Sequence, residues 1–430
     1  MVKVITYGTY DLLHRGHIRL LERAKALGDY LIVGITANDF DKMRGKINVQ
    51  QSLMERIEAV RATGLADEII VEEYEGQKID DIKRLDVDIF TVGSDWKGNF
   101  DYLNEFCRVV YLDRTEGISS TKIRSTKKKI KIGLFGEDRI IKKFQKEAKF
   151  VNGLEACLLE YTDNYEKQLD KIDAVYLVTN PVYHYDQIKL AIEKGKHVLC
   201  EMPISLTGKQ CLELHDLAKK NNCILMDGMK TAYATAYERM LLLAKGGKIG
   251  KIVSIDATAT SQIELDKINS NNIGDTWSSI NAWGPTTMLP VFQLLGTKYK
   301  EKRFVSKMIN NEFDIFTKID FVYDESVATI KVGKGVKSEG ELIISGTNGY
   351  IYIPAPWWKT DYFEIRYENT SENKRYFYQL EGEGIRYELI AFKKAIENGC
   401  DRGYIDKEIS YAICNVIEDF YKQKDFIRIK

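Results

Sequence analysis

This chain of 430 residues has no surplus of either charge: lysine plus arginine and aspartate plus glutamate each number 63. A neutral balance excludes the basic footprint of a nucleic-acid binder and gives no reason to expect a membrane surface as partner. No apolar run approaches the roughly 20 residues that a membrane-crossing helix needs. Met1-Val2-Lys3 leads straight into an apolar stretch, so no secretory leader is expected. The seven cysteines are scattered, odd in number and never spaced Cys-x-x-Cys, and no His-Glu-x-x-His occurs. That argues against a disulfide framework and against a zinc site, and it makes a reduced, cytoplasmic setting the expectation. Internal repeats and low-complexity tracts are absent too. Histidine is scarce: of five in the chain, two fall within a single turn.

That turn is Gly8-Thr9-Tyr10-Asp11-Leu12-Leu13-His14-Arg15-Gly16-His17. It follows an apolar strand pattern, Val2 to Tyr7. It precedes a helical one with Ile18, Leu21, Ala24 and Leu27 on one face and Gly28 as the expected stop. A strand handing over to a helix N-terminus gathers backbone N–H groups, and the helix dipole favours an anion there. His14 and His17 share one side of the helix and can donate to charge building up on a phosphate. Two further segments carry compatible chemistry. Gly93-Ser94-Asp95-Trp96-Lys97-Gly98 ends the apolar run Val87 to Val92, at the strand end where ligands of open parallel sheets gather. Arg114 to Arg124 supplies a cation, a glycine turn and the hydroxyls of Ser119, Ser120 and Thr121 opening a helix, a set suited to a triphosphate.

On these three segments the first 124 residues resemble the glycerol-3-phosphate cytidylyltransferase family of the His-x-Gly-His nucleotidyltransferases. The resemblance implies that Gly8, Thr9, His14 and His17 bind CTP phosphates and stabilise the transition state. It implies that Arg44 and Lys46 neutralise the triphosphate or the incoming phosphate, with Arg44 standing where the family usually has lysine. Asp11, Arg56, Asp95, Arg114, Ser119, Ser120 and Thr121 would complete the pocket, and Tyr74 is a candidate for the aromatic beside the base. The implied reaction is in-line attack of a polyol phosphate, glycerol 3-phosphate first, on the α-phosphorus of CTP, for cell-surface polymer synthesis. Mg²⁺ would ride on the triphosphate, held by substrate oxygens rather than by a protein cage.

A short basic link, Ser125 to Lys129, separates this region from a second pattern. Strands are expected at Ile130–Phe135, Leu154–Glu160, Ala174–Thr179 and His197–Cys200, with helices between: the βαβ grammar of a dinucleotide fold. After about Ile249 the pattern turns to the strands of an antiparallel sheet, from Val253–Thr260 to Tyr362–Tyr367. The expected class is therefore α/β: a Rossmann-like nucleotidyltransferase domain (1–126), a Rossmann dinucleotide-type domain (130–248) and an α+β domain with a large antiparallel sheet (249–430).

Asn180-Pro181 with His184, Cys200-Glu201-Met202-Pro203 and Gly228-Met229-Lys230-Thr231-Ala232-Tyr233 resemble the Gfo/Idh/MocA oxidoreductases. The resemblance implies an NAD(P) or substrate site with Gly133, Gly136, Glu160, Asn180, His184, Glu201 and Lys230 as candidates. Four departures stand against the family's hydride chemistry. Asp138 replaces a fingerprint glycine, Met202 the lysine of Glu-Lys-Pro, and Ala282 and Thr286 an Asp and a His or Tyr. Methionine, alanine and threonine move no proton near neutral pH. Three readings stay open for this half: an altered, non-catalytic domain, an active NAD(P)-dependent polyol-phosphate or sugar oxidoreductase, and a dimerisation module. Homo-oligomerisation through the open face of the sheet is expected, and Trp357 and Trp358 are candidates for a pocket or an interface.

Overall fold

A computed structural model describes residues 1–37, 40–41, 49–74, 76–113, 129–136, 138–159, 165–263, 277–309, 313–378, 380–399 and 404–430. The chain divides into two compact units, residues 1–128 and 129–430.

The first unit is built on five strands, β1 (Lys3–Gly8), β2 (Tyr30–Thr36), β3 (Glu68–Glu72), β4 (Ile89–Gly93) and β5 (Arg108–Leu112). They pair in parallel in the order β3-β2-β1-β4-β5. Successive residues of β1 and β2 belong to different apolar clusters, so both faces of the sheet are covered and the strands read as continuous apolar runs. Helices α1 (Arg15–Lys25) and α2 (Leu53–Arg61) cover one face through Leu21, Ala24, Ile57 and Val60. Helix α3 (Gln77–Leu85) covers the other through Ile82. Ser52 and Glu55 start α2 with a reciprocal capping box, which satisfies two orphan amides at once. Gly28 does not act as the expected left-handed stop, because α1 closes on Ala26 in right-handed conformation. The glycine is needed instead for close approach: a Cβ there would lie 2.6 Å from the Val2 carbonyl oxygen.

The second unit carries two sheets. Strands β6 (Ile130–Gly136), β7 (Leu154–Leu158), β8 (Ala174–Val178), β9 (His197–Glu201) and β10 (Leu225–Gly228) form a parallel sheet ordered β10-β9-β8-β6-β7. It alternates with helices α4 (Asp138–Ala148), α5 (Tyr165–Leu169), α6 (Pro181–Glu193) and α7 (Gly208–Lys220), and α8 (Thr235–Lys245) follows the last strand.

The larger sheet has nine strands: β11 (Ile252–Thr260), β12 (Glu301–Ile309), β13 (Phe313–Val322), β14 (Val327–Gly333), β15 (Leu342–Gly346), β16 (Tyr350–Ile353), β17 (Tyr362–Arg366), β18 (Lys374–Phe377) and β19 (Phe426–Ile429). Their order is β18-β17-β16-β15-β11-β14-β13-β12-β19. The sheet is mixed rather than purely antiparallel, since β11 runs parallel to β14 and β12 parallel to β19. Helices α9 (Ser279–Leu295), α10 (Ile385–Asn398) and α11 (Lys407–Tyr421) complete the unit, and α9 lies along β11, β13 and β14. Among the described residues no helix is long and apolar enough to cross a membrane.

Candidate functional site

The first sheet reverses its winding between β1 and β4, where an open parallel sheet leaves a crevice at the carboxyl ends of its strands. β1 delivers Gly8, Thr9, Tyr10 and Asp11 to that crevice just before α1 begins. Tyr10 and Leu12 hold left-handed backbone, with φ of 52° and 51°. Such strain survives only where neighbouring contacts over-determine the turn. Asp11 Oδ1 accepts the amides of Gln50 and Gln51, each at 3.0 Å, and the Gln51 side chain accepts the Leu12 amide at 2.7 Å. The loop is thereby tied to the chain that enters α2.

His14 is the N-cap of α1. Its Nδ1 accepts the amides of Gly16 at 3.1 Å and His17 at 3.4 Å. An accepting Nδ1 carries no proton, so the neutral ring holds its proton on Nε2 and donates there. The His17 ring stacks on it at 3.9 Å with an interplanar angle of 14°, and the edge of Tyr10 meets His17 at 5.5 Å. The two imidazoles thus form one rigid pair at the positive end of a helix. This is the arrangement that stabilises developing negative charge without reorganisation.

Below the pair lies a brace that the sequence does not announce. Thr9 Oγ1 donates to Asp41 Oδ1 at 2.8 Å. Arg56 is fully buried, and its Nη1 donates to the carbonyls of Thr9 at 2.6 Å and Thr36 at 2.9 Å and reaches Asp41 Oδ2 at 3.4 Å. Burial lowers its pKa, while Asp41 and Asp11 act to raise it. Asp11 and Arg56, expected to complete the CTP pocket, are both buried, and their described hydrogen bonds hold the main chain of the two loops that flank the crevice.

Beside Gly8 is a cavity of about 60 Å³ at the ends of β1 to β4, lined among others by Thr36, Glu72, Lys78, Trp96 and Phe100. Glu72 accepts from Thr36 Oγ1 at 2.9 Å and pairs with the Lys78 ammonium. The Lys78 Nζ also lies 4.8 Å from the Tyr7 ring centroid and 5.6 Å from that of Phe100. Tyr7 donates to Asp81 at 2.9 Å, and burial together with Asp81 raises its pKa, keeping it a neutral donor. Asp95 sits in the turn after β4 and is exposed. Tyr74 does not line this cavity; it is half exposed and donates to Asp80 at 2.8 Å, and the aromatic walls here are Tyr7, Phe90, Trp96 and Phe100. Lys78 and Glu72 carry only a weak sequence signal, because an acid closing a strand and a lysine in a first helical turn are commonplace. Strand order gives them meaning by bringing the end of β3 to the crevice. Arg44, Lys46, Arg114, Ser119, Ser120 and Thr121 lie outside the described residues.

In the second unit the winding reverses between β6 and β8. Gly136 ends β6 with φ of 131°, and a Cβ there would meet the Val178 carbonyl oxygen at 2.2 Å, so the two strand ends touch through glycine. Gly133 packs inward, where a Cβ would strike Ile172 and Leu159. Asn180 caps α6 by accepting the Val182 amide at 3.1 Å. Glu201 Oε1 accepts the Tyr176 hydroxyl at 2.5 Å, and Lys230 pairs with Glu383 at 3.2 Å. Of the two readings open for His184, a site residue or a structural histidine, the geometry favours the structural one. It is fully buried, with Nδ1 2.8 Å from the Pro203 carbonyl and Nε2 2.9 Å from that of Thr179, so it is a cross-link of the core. Trp357 is likewise core: it is fully buried and donates to the Thr258 carbonyl at 2.9 Å, which leaves no face for a pocket or interface. Met202 is buried in the family's lysine position. Glu160 lies outside the described residues. Among the described residues no cluster of three or more His, Cys, Asp or Glu could hold a metal ion.

A family model described as cytidylyltransferase-like matches residues 5–126, and one described as an oxidoreductase family with NAD-binding Rossmann fold matches residues 138–229. Glycerol-3-phosphate cytidylyltransferase of Bacillus spizizenii is 51% identical over 124 residues, which are 29% of this chain and 95% of that protein. The enzyme of the same name from Staphylococcus aureus is 46% identical over 142 residues, 32% of this chain and 98% of that protein. Among solved structures, KijD10, a 3-ketoreductase from Actinomadura kijaniata, superposes with a TM-score of 0.62 at 15% identity, covering 70% of this chain and 100% of that one. Levoglucosan dehydrogenase gives 0.59 at 15%, covering 69% and 97%. At that identity the structural likeness establishes the fold of the second unit. With a first unit matched over nearly the full length of its relatives, the chain belongs to the cytidylyltransferase-like nucleotidyltransferases, and it carries behind that domain a unit of Gfo/Idh/MocA oxidoreductase fold.

Proposed function

We propose that the first unit transfers a cytidylyl group from CTP to a small polyol phosphate, glycerol 3-phosphate being the first candidate, with release of pyrophosphate. The observation that carries this reading is the His14–His17 pair, stacked and oriented at the N-terminus of α1 beside the β1–β4 crevice. A phosphate oxygen of the acceptor forms the new bond to the α-phosphorus as the bond to pyrophosphate breaks. That oxygen is already deprotonated at neutral pH, so no general base is required. The residues supply position and charge: the Nε2–H of His14 is a donor at the start of α1, the stacked His17 supports it, and the helix dipole adds to both. Lys78, paired with Glu72, is a cation in the lining of the cavity that would face the acceptor phosphate. Arg44, Lys46, Arg114, Ser119, Ser120 and Thr121 join on the strength of the family resemblance. Mg²⁺ enters bound to CTP, as part of the substrate.

The test is a pyrophosphate-release assay with CTP, Mg²⁺ and a panel of polyol phosphates. Release with glycerol 3-phosphate, falling about 10²–10³-fold in His17→Ala, is the expected result. No release with any acceptor removes the reading.

For the second unit we infer a nucleotide- or substrate-binding domain that has left the family's hydride chemistry. Met202, Ala282 and Thr286 support it, since none of them exchanges a proton. The parallel sheet reverses its winding between β6 and β8, the place where dinucleotides bind in this kind of fold, which favours retained NAD(P) binding. Titration with NADH and NADPH, followed by fluorescence, separates the readings: binding without oxidation of any polyol phosphate is expected, and turnover makes the chain bifunctional.

A further inference from the structure

Three lysines from three separate parts of the second unit converge on one carboxylate. Lys143 of α4 reaches Glu383 Oε1 at 3.3 Å and Oε2 at 3.2 Å. Lys230, after β10, reaches Oε2 at 3.2 Å, and Lys359, after β16, lies 3.7 Å from Oε1. The cluster is accessible, with Lys143 half exposed and the other side chains about a third exposed. Three cations around a single carboxylate leave two positive charges uncompensated among these four side chains. Burial acts against ionisation of Glu383, but Lys230, Lys143 and Lys359 outweigh it and hold its pKa down at about 2. The carboxylate is therefore permanently charged, a fixed anion in a cationic cup.

The segment that presents it is a tight left-handed turn. Glu383 itself has left-handed backbone, with φ of 56° and ψ of 24°, a conformation costly for a residue with a Cβ. Glycines flank it on both sides, Gly382 with φ of 57° and Gly384 with φ of 91°. The stem below is fixed: Arg386 donates to Glu147 of α4 at 2.5 Å, and its guanidinium lies 3.9 Å from the centre of the Phe150 ring. The turn and its anchored stem hold the Glu383 side chain where the three lysines meet.

A second observation points to a ligand at the same place. Glu388, one turn into α10, is buried at 1% exposure, and neither carboxyl oxygen has a hydrogen-bond partner among the described residues. Burial and the nearby Glu201 raise its pKa, and Lys230 acts to lower it. A neutral buried acid with no partner is an unused donor beside the lysine cup.

We propose that Lys143, Lys230 and Lys359 form a binding site for the phosphate group of a small phosphomonoester, and that the Glu383 carboxylate occupies the place of that anion until the ligand displaces it. The match is one of charge and shape. A phosphomonoester brings close to two negative charges and three terminal oxygens to three ammonium groups, where Glu383 brings one charge and two oxygens. The site uses no residue of the cytidylyl-transfer crevice, so it stands or falls separately from that reading.

Inorganic phosphate is the first probe, titrated calorimetrically into the full-length chain at constant ionic strength, with glycerol 3-phosphate and NADH as further arms. Glu383→Gln removes the internal competitor and is expected to tighten phosphate binding about tenfold. Misfolding cannot produce a gain of affinity. Adding Lys230→Ala and Lys359→Ala to Glu383→Gln is expected to abolish the gain. The proposal is overturned if Glu383→Gln leaves phosphate affinity unchanged or weaker, or if the gain survives loss of the lysines. A gain confined to NADH would assign the anion to a dinucleotide and overturn the monoester.

Discussion

His14 does two jobs with two different nitrogens. Nδ1 accepts two amides and caps α1, which leaves the proton on Nε2 as the ring's donor. Substitution can separate them. Asparagine is a strong N-cap but offers no imidazole donor, so His14→Asn should keep the unfolding midpoint near that of the parent while pyrophosphate release falls about 10²–10³-fold. His14→Ala should lose the same activity and about 1 kcal/mol of stability as well. Equal losses of stability in the two variants would mean that the cap contributes nothing. These two histidines were legible because their spacing at a strand–helix junction is a local pattern. Arg56 was legible only as a charged residue near the site. Its commitment to the Thr9 and Thr36 carbonyls depends on loops that are distant in sequence, and no local signal separates a brace from a clamp.

Elements are joined in the second unit by a histidine of a different kind. His184 on α6 reaches the carbonyl that follows β8 and one that follows β9, and burial pushes its pKa from 6.5 to about 4 against the pull of those carbonyls. The folded form therefore binds its proton less readily than the unfolded chain does. Stability is complete above pH 6.5 and is lost as the pH falls towards 4, by up to about 3 kcal/mol from this group. His215, also lowered to about 4, acts in the same sense. Urea unfolding at pH 7 and pH 4.5 should show this loss, and His184→Asn should reduce the difference between the two pH values; an unchanged difference would assign the acid sensitivity elsewhere. Element types were largely readable, since β6, β8, β11 and β17 stand where the apolar runs place them. β12 was missed because Glu301, Lys302 and Arg303 break its periodicity. Lys302 is nonetheless buried, paired at 2.8 Å with Asp419 of α11, and only the tertiary partner makes a lysine acceptable there. The parallel pairings of β11 and β19 were hidden for a similar reason: strand direction depends on the route of the connections and not on strand composition.

At the scale of the whole molecule, each unit has its own parallel sheet with its own winding reversal. Relatives of the first unit are matched over 95% of their length by 124 residues of this chain, so that length suffices for a complete fold elsewhere. Residues 1–128 produced alone should fold cooperatively and retain pyrophosphate release within about threefold of the full chain, a change of under 1 kcal/mol in barrier height. A loss beyond a hundredfold would show that catalysis depends on the second unit.

Joining two units in one polypeptide also settles a matter that neither unit decides. Every copy of the transferase is synthesised with one copy of the oxidoreductase-fold unit, at every expression level and through every round of cell division. The ratio of the two sites is fixed at one to one by peptide bonds, and no promoter, ribosome-binding site or differential turnover of intact chains can alter it.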